Sequence, residues 1–156
     1  MKMHSIFTEQ ILPLDLDKAW DFFSSPHNLN EITPSDMSFH IKSELPKNGM
    51  YEGMFIEYSL RPVLNLPVTW LTEITHIKDQ CYFMDEQRVG PYALWHHEHH
   101  FEAHPKGVKM TDKLYYALPF GPIGNLAHAL FVGKRVRDIF EFRFKKLEEL
   151  FPMPKS

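Results

Sequence analysis

The chain has 156 residues, 44% of them hydrophobic and 14% aromatic, with 13 Phe and a formal net charge of −3. That length fits one domain burying roughly two thirds of its unfolded surface, and that apolar content excludes a disordered chain. Lys and Arg are scattered apart from Lys134 to Arg137, which leaves no stripe for tracking phosphates, so nucleic acid is not an expected partner. The single Cys81 excludes an internal disulfide, no secretory pattern opens the chain, and the expected location is the cytoplasm.

A first strand is expected over Lys2 to Leu12, stopped by Pro13; Asp15 then caps a short helix running to about Ser24. Ser25 followed by Pro26 repeats the helix-start signal, so a second short helix should end near Pro34. From Met37 the period becomes two, with strands expected at 37–43, 51–60, 67–78, 81–89, 94–104 and 108–118. From Leu114 to Gly133 no Asp, Glu, Lys or Arg occurs, but Pro119, Gly121, Pro122 and Gly124 break that run, so it reads as a strand, a turn and a helix start, with no transmembrane segment. A helix of roughly 28 residues, about 42 Å, then runs to Pro152, with Ile123, Leu126, Leu130, Val136, Ile139, Phe140, Leu147 and Leu150 expected to face inward. This order predicts an α+β domain: a seven-stranded curved antiparallel sheet, two short helices, and one long C-terminal helix closing an internal cavity.

Pro105-Lys106 marks a hairpin turn, and pairing His104 with Gly107 sets its register. Trp95 then faces Tyr116, His97 faces Leu114, His99 faces Asp112 and Phe101 faces Met110. The other face carries His96, Glu98, His100 and Glu102 beside Lys109, Thr111 and Lys113, which predicts a solvent surface. On the preceding strand the same parity turns Phe83, Asp85, Gln87 and Val89 inward. Placing Gln87 beside His97 sets Asp85 beside His99, so that Asp85, His99 and Asp112 form one row across three strands. Carboxylates and imidazoles buried among aromatic residues cost several kcal/mol unless they are paired or wetted. The belt is therefore a candidate ligand site; a self-satisfied core network that fixes register is the plainer alternative.

Phosphate-loop, nucleophile-elbow and paired-Cys zinc motifs are absent from the sequence. However, the run Asp85-Glu86-Gln87, then Gly90-Pro91-Tyr92, Trp95-x-His97-x-His99-x-Phe101, Asp112 to Tyr115 and Leu118-Pro119-Phe120-Gly121-Pro122 resembles the SRPBCC ligand-binding proteins. These START-like, helix-grip domains are sometimes labelled cell-division inhibitors and are found fused to nucleotide-sugar-epimerase-like domains. The resemblance covers essentially the whole chain and implies a single domain over 1–156 with an internal cavity and no cofactor.

The expected function is binding of a small, mainly hydrophobic molecule, with contacts from Tyr58, Trp70, Asp85, Gln87, Trp95, His97, His99, Phe101, Asp112 and Tyr116. The alternative is a cyclase- or dehydratase-like enzyme using His99 with Asp85 or Asp112 as general acid and base. His97 and His99, two apart on one strand face beside an Asp row, are acceptable metal ligands, but relatives of this fold mostly keep metal-free cavities and the expectation is no metal. The loops at 62–66, 89–93 and 119–124 should cluster at one end as a mouth, where a membrane surface or a protein partner is a further possibility.

Overall fold

The structure, a computed structural model, describes residues 1–46, 49–62 and 65–154. Seven strands form one antiparallel sheet: β1 (His4–Leu12), β2 (His40–Ile41), β3 (Phe55–Leu60), β4 (Val68–Lys78), β5 (Tyr82–Val89), β6 (Leu94–His104) and β7 (Gly107–Ala117), in the spatial order β1-β7-β6-β5-β4-β3-β2. Strands β2 to β7 are thus a meander, and β1 closes onto the last of them. Helix α1 (Leu16–Phe23) buries Ala19, Trp20 and Phe23; Asp15 sits at its N-cap, but its carboxylate does not bond the helix backbone there. Pro26–Asn30 is a single 3₁₀ turn, shorter than the helix the Ser-Pro signal predicts.

The strand expected at 37–43 reduces to two residues, because Ser35–Met37 makes a 3₁₀ turn and Ser38 takes a left-handed backbone (φ 46°). The strand expected from 51 begins at Phe55, since Gly53 (φ 83°) lies in a turn ahead of it. The β6–β7 hairpin has the expected register, from His104↔Gly107 to Trp95↔Tyr116. Gly107 is required at its tip: a Cβ there would lie 2.1 Å from the Leu12 carbonyl oxygen. On the convex face Thr111 is only 5% exposed, because Glu9 and His100, its neighbours on β1 and β7's other partner β6, are longer and cover it.

Register shifts occur in β4 against β5 between Leu71 and Thr72 and between Ile74 and His76. Before the second shift Trp70, Thr72 and Ile74 are buried; after it Ile77 packs inward. Such irregularities bend a strand, and here the bend divides the concave side between two apolar clusters. One holds Ile56, Tyr58, Trp70, Tyr92 and Tyr116 with Val136 and Phe140; the other holds Trp20, Phe23, Phe83, Phe101 and Met110 with Leu147.

The C-terminal helix is continuous from Pro122 to Leu150 but has three parts: α2 (Pro122–Ala127), a π turn (His128–Val132) and α3 (Gly133–Leu150). Val132, Val136, Phe140 and Leu147 face the sheet. Ile123, Leu126 and Leu130 do not; they are 73%, 60% and 70% exposed. The six residues from Leu130 to Val136 turn a helix by about 600°, so the two apolar stripes point roughly 120° apart and only one can meet the sheet. Among the described residues no helix is long and apolar enough to cross a membrane.

Candidate functional site

A cavity of about 170 Å³ lies between the sheet and α3, walled by Tyr58, Trp70, Tyr92, Trp95, Ile56 and Phe140 among others. Asp85, His97, His99 and Arg143 supply its charged or titratable wall. The first three come from the concave face of β5 and β6. Asp85 pairs with His97 across the strands and Phe83 with His99, two residues out of the predicted register. Parity is unaffected by a two-residue slip, so Phe83 and Asp85 still face inward, whereas Val89, expected on the same face, is 53% exposed where the strand ends.

Asp85, His97, His99 and, behind them, Asp112 of β7 form a closed ring of contacts. His99 Nε2–H donates to Asp85 Oδ2 at 3.0 Å, and His97 Nε2–H donates to Asp112 Oδ1 at 3.2 Å. His97 Nδ1 lies 3.7 Å from Asp85 Oδ2, and His99 Nδ1 lies 2.8 Å from Asp112 Oδ1, too far off line for a hydrogen bond. Arg143 approaches Asp112 Oδ2 at 3.8 Å from α3 and lies against the ring of Phe140. His97, His99 and Asp112 are all buried.

These contacts set the charges. Burial lowers the His97 pKa, and the neighbouring His99 adds to that, so His97 is neutral. Burial acts on His99 in the same direction, but the carboxylates of Asp112 and Asp85 outweigh it and raise its pKa. Burial would push both carboxyls up; instead His97 and His99 hold Asp112 well below the usual carboxylate range, and His99, His97 and Arg143 together lower Asp85. Burial raises the Tyr58 phenol, and Asp85 raises it further, so Tyr58 remains an O–H donor on the cavity wall.

Of the residues expected from the sequence to bind a ligand, Tyr58, Trp70, Asp85, Trp95, His97 and His99 line the cavity. Asp112 is displaced from it: His97 and His99 stand in front, and the carboxylate lies behind them, towards Met110 and Phe144. Phe101 belongs to the second apolar cluster, in contact with Trp20 and Phe23. Gln87 turns to the Gly90 loop, donating from Nε2 to the Tyr92 carbonyl oxygen at 2.7 Å. The Tyr116 hydroxyl is hydrogen-bonded to His128 Nε2 at 2.9 Å, outside the cavity wall.

Sequence reasoning missed Arg143 and Tyr92. Arg143 was open to detection, since it continues the 132, 136, 140, 147 stripe of α3 as the only charged residue on it. Tyr92 follows a Gly-Pro turn, with no periodicity to mark it. The loops at 89–93 and 119–124 do lie at one end, where Ala93 N–H donates to the Ala117 carbonyl oxygen at 2.9 Å. Of the 62–66 loop, Val63 and Leu64 fall outside the described residues; Pro62 accepts a bond from Arg135 at 2.9 Å.

No family model matches the chain, and no curated protein matches it. Solved structures do. A protein of Thermus thermophilus superposes with a TM-score of 0.70 at 19% identity, covering 94% of this chain and 95% of its own. A protein of Chromobacterium violaceum gives 0.71 at 10% identity, covering 97% and 99%. Ara h 8.0201 gives 0.60 at 15% identity, covering 95% and 99%. Likeness at these identities speaks to fold alone: the chain has the α+β helix-grip fold, a seven-stranded antiparallel sheet gripping a long C-terminal helix.

Proposed function

We propose that this protein binds a small, mainly apolar molecule with one polar group, held between the sheet and α3, and that it is an SRPBCC-type domain acting in the cytoplasm, where a lone free Cys81 is unremarkable. The observation that carries this reading is a cavity whose walls are mainly aromatic and aliphatic, with Ser25, Asn28, Thr33 and Thr72 as neutral polar residues and Asp85, His97, His99 and Arg143 as the charged or imidazole ones. A few convergent polar groups in an otherwise apolar pocket fix a ligand's orientation, while the apolar walls supply most of its affinity.

Size narrows the ligand. A space of about 150 Å³ holds a benzene-sized molecule, so about 170 Å³ fits a single substituted ring and excludes a long acyl chain unless the wall moves. The preferred polar group accepts hydrogen bonds, because Tyr58 and Arg143 offer donors on the cavity wall. The test is a solution screen of single-ring phenols and aromatic acids by NMR and native mass spectrometry. A binder should shift the indole signals of Trp70 and Trp95 together with the His99 ring; binders that shift only outer-face residues such as His96 would refute the assignment.

A second reading is proton-transfer chemistry at His99, favoured by an imidazole held between two carboxylates on a cavity wall. Turnover of a cyclisation or dehydration substrate that is lost in His99→Gln with binding retained would support it.

A further inference from the structure

Three electron-rich atoms converge on one point of the cavity wall: Asp85 Oδ2, His97 Nδ1 and His99 Nε2, all within 4.8 Å of one another. Asp85 Oδ2 is 3.0 Å from the His99 nitrogen and 3.7 Å from the His97 nitrogen. Donors around a tetrahedral zinc-like ion stand about 3.4 Å apart, from metal–ligand bonds of about 2.1 Å. The two separations from Asp85 bracket that value, and the third, between the two imidazole nitrogens, is no more than 4.8 Å, within reach of side-chain adjustment. Something positive must sit between three such atoms. In the metal-free protein it is the proton on His99 Nε2.

Behind the ligands stands a second feature that a hydrogen-bond network alone does not call for. The remaining nitrogen of each ring faces the same oxygen, Asp112 Oδ1, at 3.2 Å for His97 Nε2 and 2.8 Å for His99 Nδ1. A carboxylate that takes the far N–H of a histidine fixes its tautomer and turns the other nitrogen's lone pair towards a metal. One Asp112 does this for two histidines at once. His99 Nδ1 is buried and makes no aligned hydrogen bond as it stands; a small rotation of the ring to meet a metal at Nε2 would bring Nδ1 into line with Asp112.

We infer that Asp85, His97 and His99 form a binding site for a divalent first-row transition ion, with Asp112 as the residue that orients both imidazoles. Binding exchanges the His99 Nε2 proton, which leaves to solvent, for the ion. Two nitrogens and one carboxylate oxygen suit zinc or a neighbouring ion and leave at least one coordination position open. That position faces the cavity, because Asp85, His97 and His99 all stand on its wall while Asp112 lies behind. Arg143 lies 3.8 Å from Asp112 Oδ2, beside the orienting carboxylate. The sequence-based expectation was a metal-free cavity, because relatives of this fold mostly keep one; what the strand register adds is that Asp85 lies at one nitrogen of each imidazole and Asp112 at the other.

The metal site stands on side-chain geometry alone. Its extension, that the cavity's ligand completes the coordination through an oxygen, rests on the ligand-binding reading above. The experiment separates the two. Full-length protein purified without a His tag and stripped with chelator is titrated with Zn²⁺ by calorimetry, with Co²⁺ visible absorption as the coordination readout and no organic molecule present. One ion per chain, tetrahedral-type Co²⁺ bands, loss of both in Asp85→Asn and in His99→Gln, and about 10–100-fold weaker binding in Asp112→Asn are expected. The double variant His96→Ala/His100→Ala, which alters only the outer-face imidazoles that pair with Glu86 and Glu98, should bind unchanged. Circular dichroism of each variant identifies any that fail to fold, and the isosteric Asp112→Asn guards against that outcome. No stoichiometric binding, or binding lost only in the outer-face variant, overturns the site. Stoichiometric metal with no effect of Zn²⁺ on the affinity of a single-ring aromatic acid overturns the extension and leaves the site standing.

Discussion

Asp112 is the residue on which the buried ring depends most. It is reached by His97, His99 and Arg143, and no water-facing route compensates for its loss. Removing one member of a buried ion pair leaves the others uncompensated, so Asp112→Ala should destabilise the fold by about 3–5 kcal/mol in urea unfolding. Asp112→Asn retains an acceptor and should cost clearly less. A loss of under about 1 kcal/mol in Asp112→Ala would mean that the ring is solvated in solution.

A second residue-scale feature lies near the mouth. The rings of His4 and His128 stack at 3.4 Å, with Tyr116 hydrogen-bonded to the latter. Burial lowers both imidazole pKa values; Lys2 lowers both further, and His128 also feels His4 and Arg137. Both rings are therefore neutral in the native protein. The unfolded chain protonates them near 6.5, the folded chain only at lower pH, so their contribution is intact above about pH 6.5 and is lost as pH falls below it. His4→Phe keeps a stacked ring and removes one titration. Its melting temperature should fall less steeply than that of the wild type between about pH 7 and pH 5; parallel curves would refute the pairing.

At the scale of elements, what was legible followed from period and turn chemistry. The β6–β7 register came from one turn, Pro105-Lys106, and period two did the rest, so Trp95, His97, His99 and Phe101 were placed on the concave side by parity. The β5 register had no such anchor, and it slipped by two residues, which exchanged the neighbours of His99 without changing its face. Short strand β2 was lost to backbone angles at Ser38 that no pattern announces. The C-terminal helix shows the opposite limit. Its apolar residues make two stripes, and composition cannot say which one packs. A substitution series distinguishes them: Leu130→Ser should change stability by no more than about 0.5 kcal/mol, whereas Leu147→Ala should cost about 2–5 kcal/mol. A large loss at Leu130 would show that this stripe is covered in solution.

Across the whole molecule the two apolar clusters divide the work. The space of about 170 Å³ lies mainly against the cluster under the N-terminal half of α3, with Phe23, Ile32 and Phe83 of the cluster under α1 closing one side, while Trp20, Phe101 and Leu147 stand away from it. An unfilled apolar space costs about 24 cal/mol per Å³, which is about 4 kcal/mol for this one and a large share of a domain's net stability. A fold that retains such a void can recover much of that loss by filling it, and a ligand at 100 times its Kd adds about 2.7 kcal/mol. A side chain can fill it instead. Val136 is 1% exposed, sits on α3 and lines the cavity, so Val136→Phe projects a ring into the same volume. Its melting temperature should equal or exceed that of the wild type, and the binding of benzene or indole, followed by NMR shifts at Trp70 and Trp95, should be abolished. Leu147→Ala is the counterpart: it weakens the other cluster and should leave the affinity for those probes unchanged. If Val136→Phe is strongly destabilised and still takes up benzene, the cavity is closed against α3 in solution and the bound ring sits elsewhere.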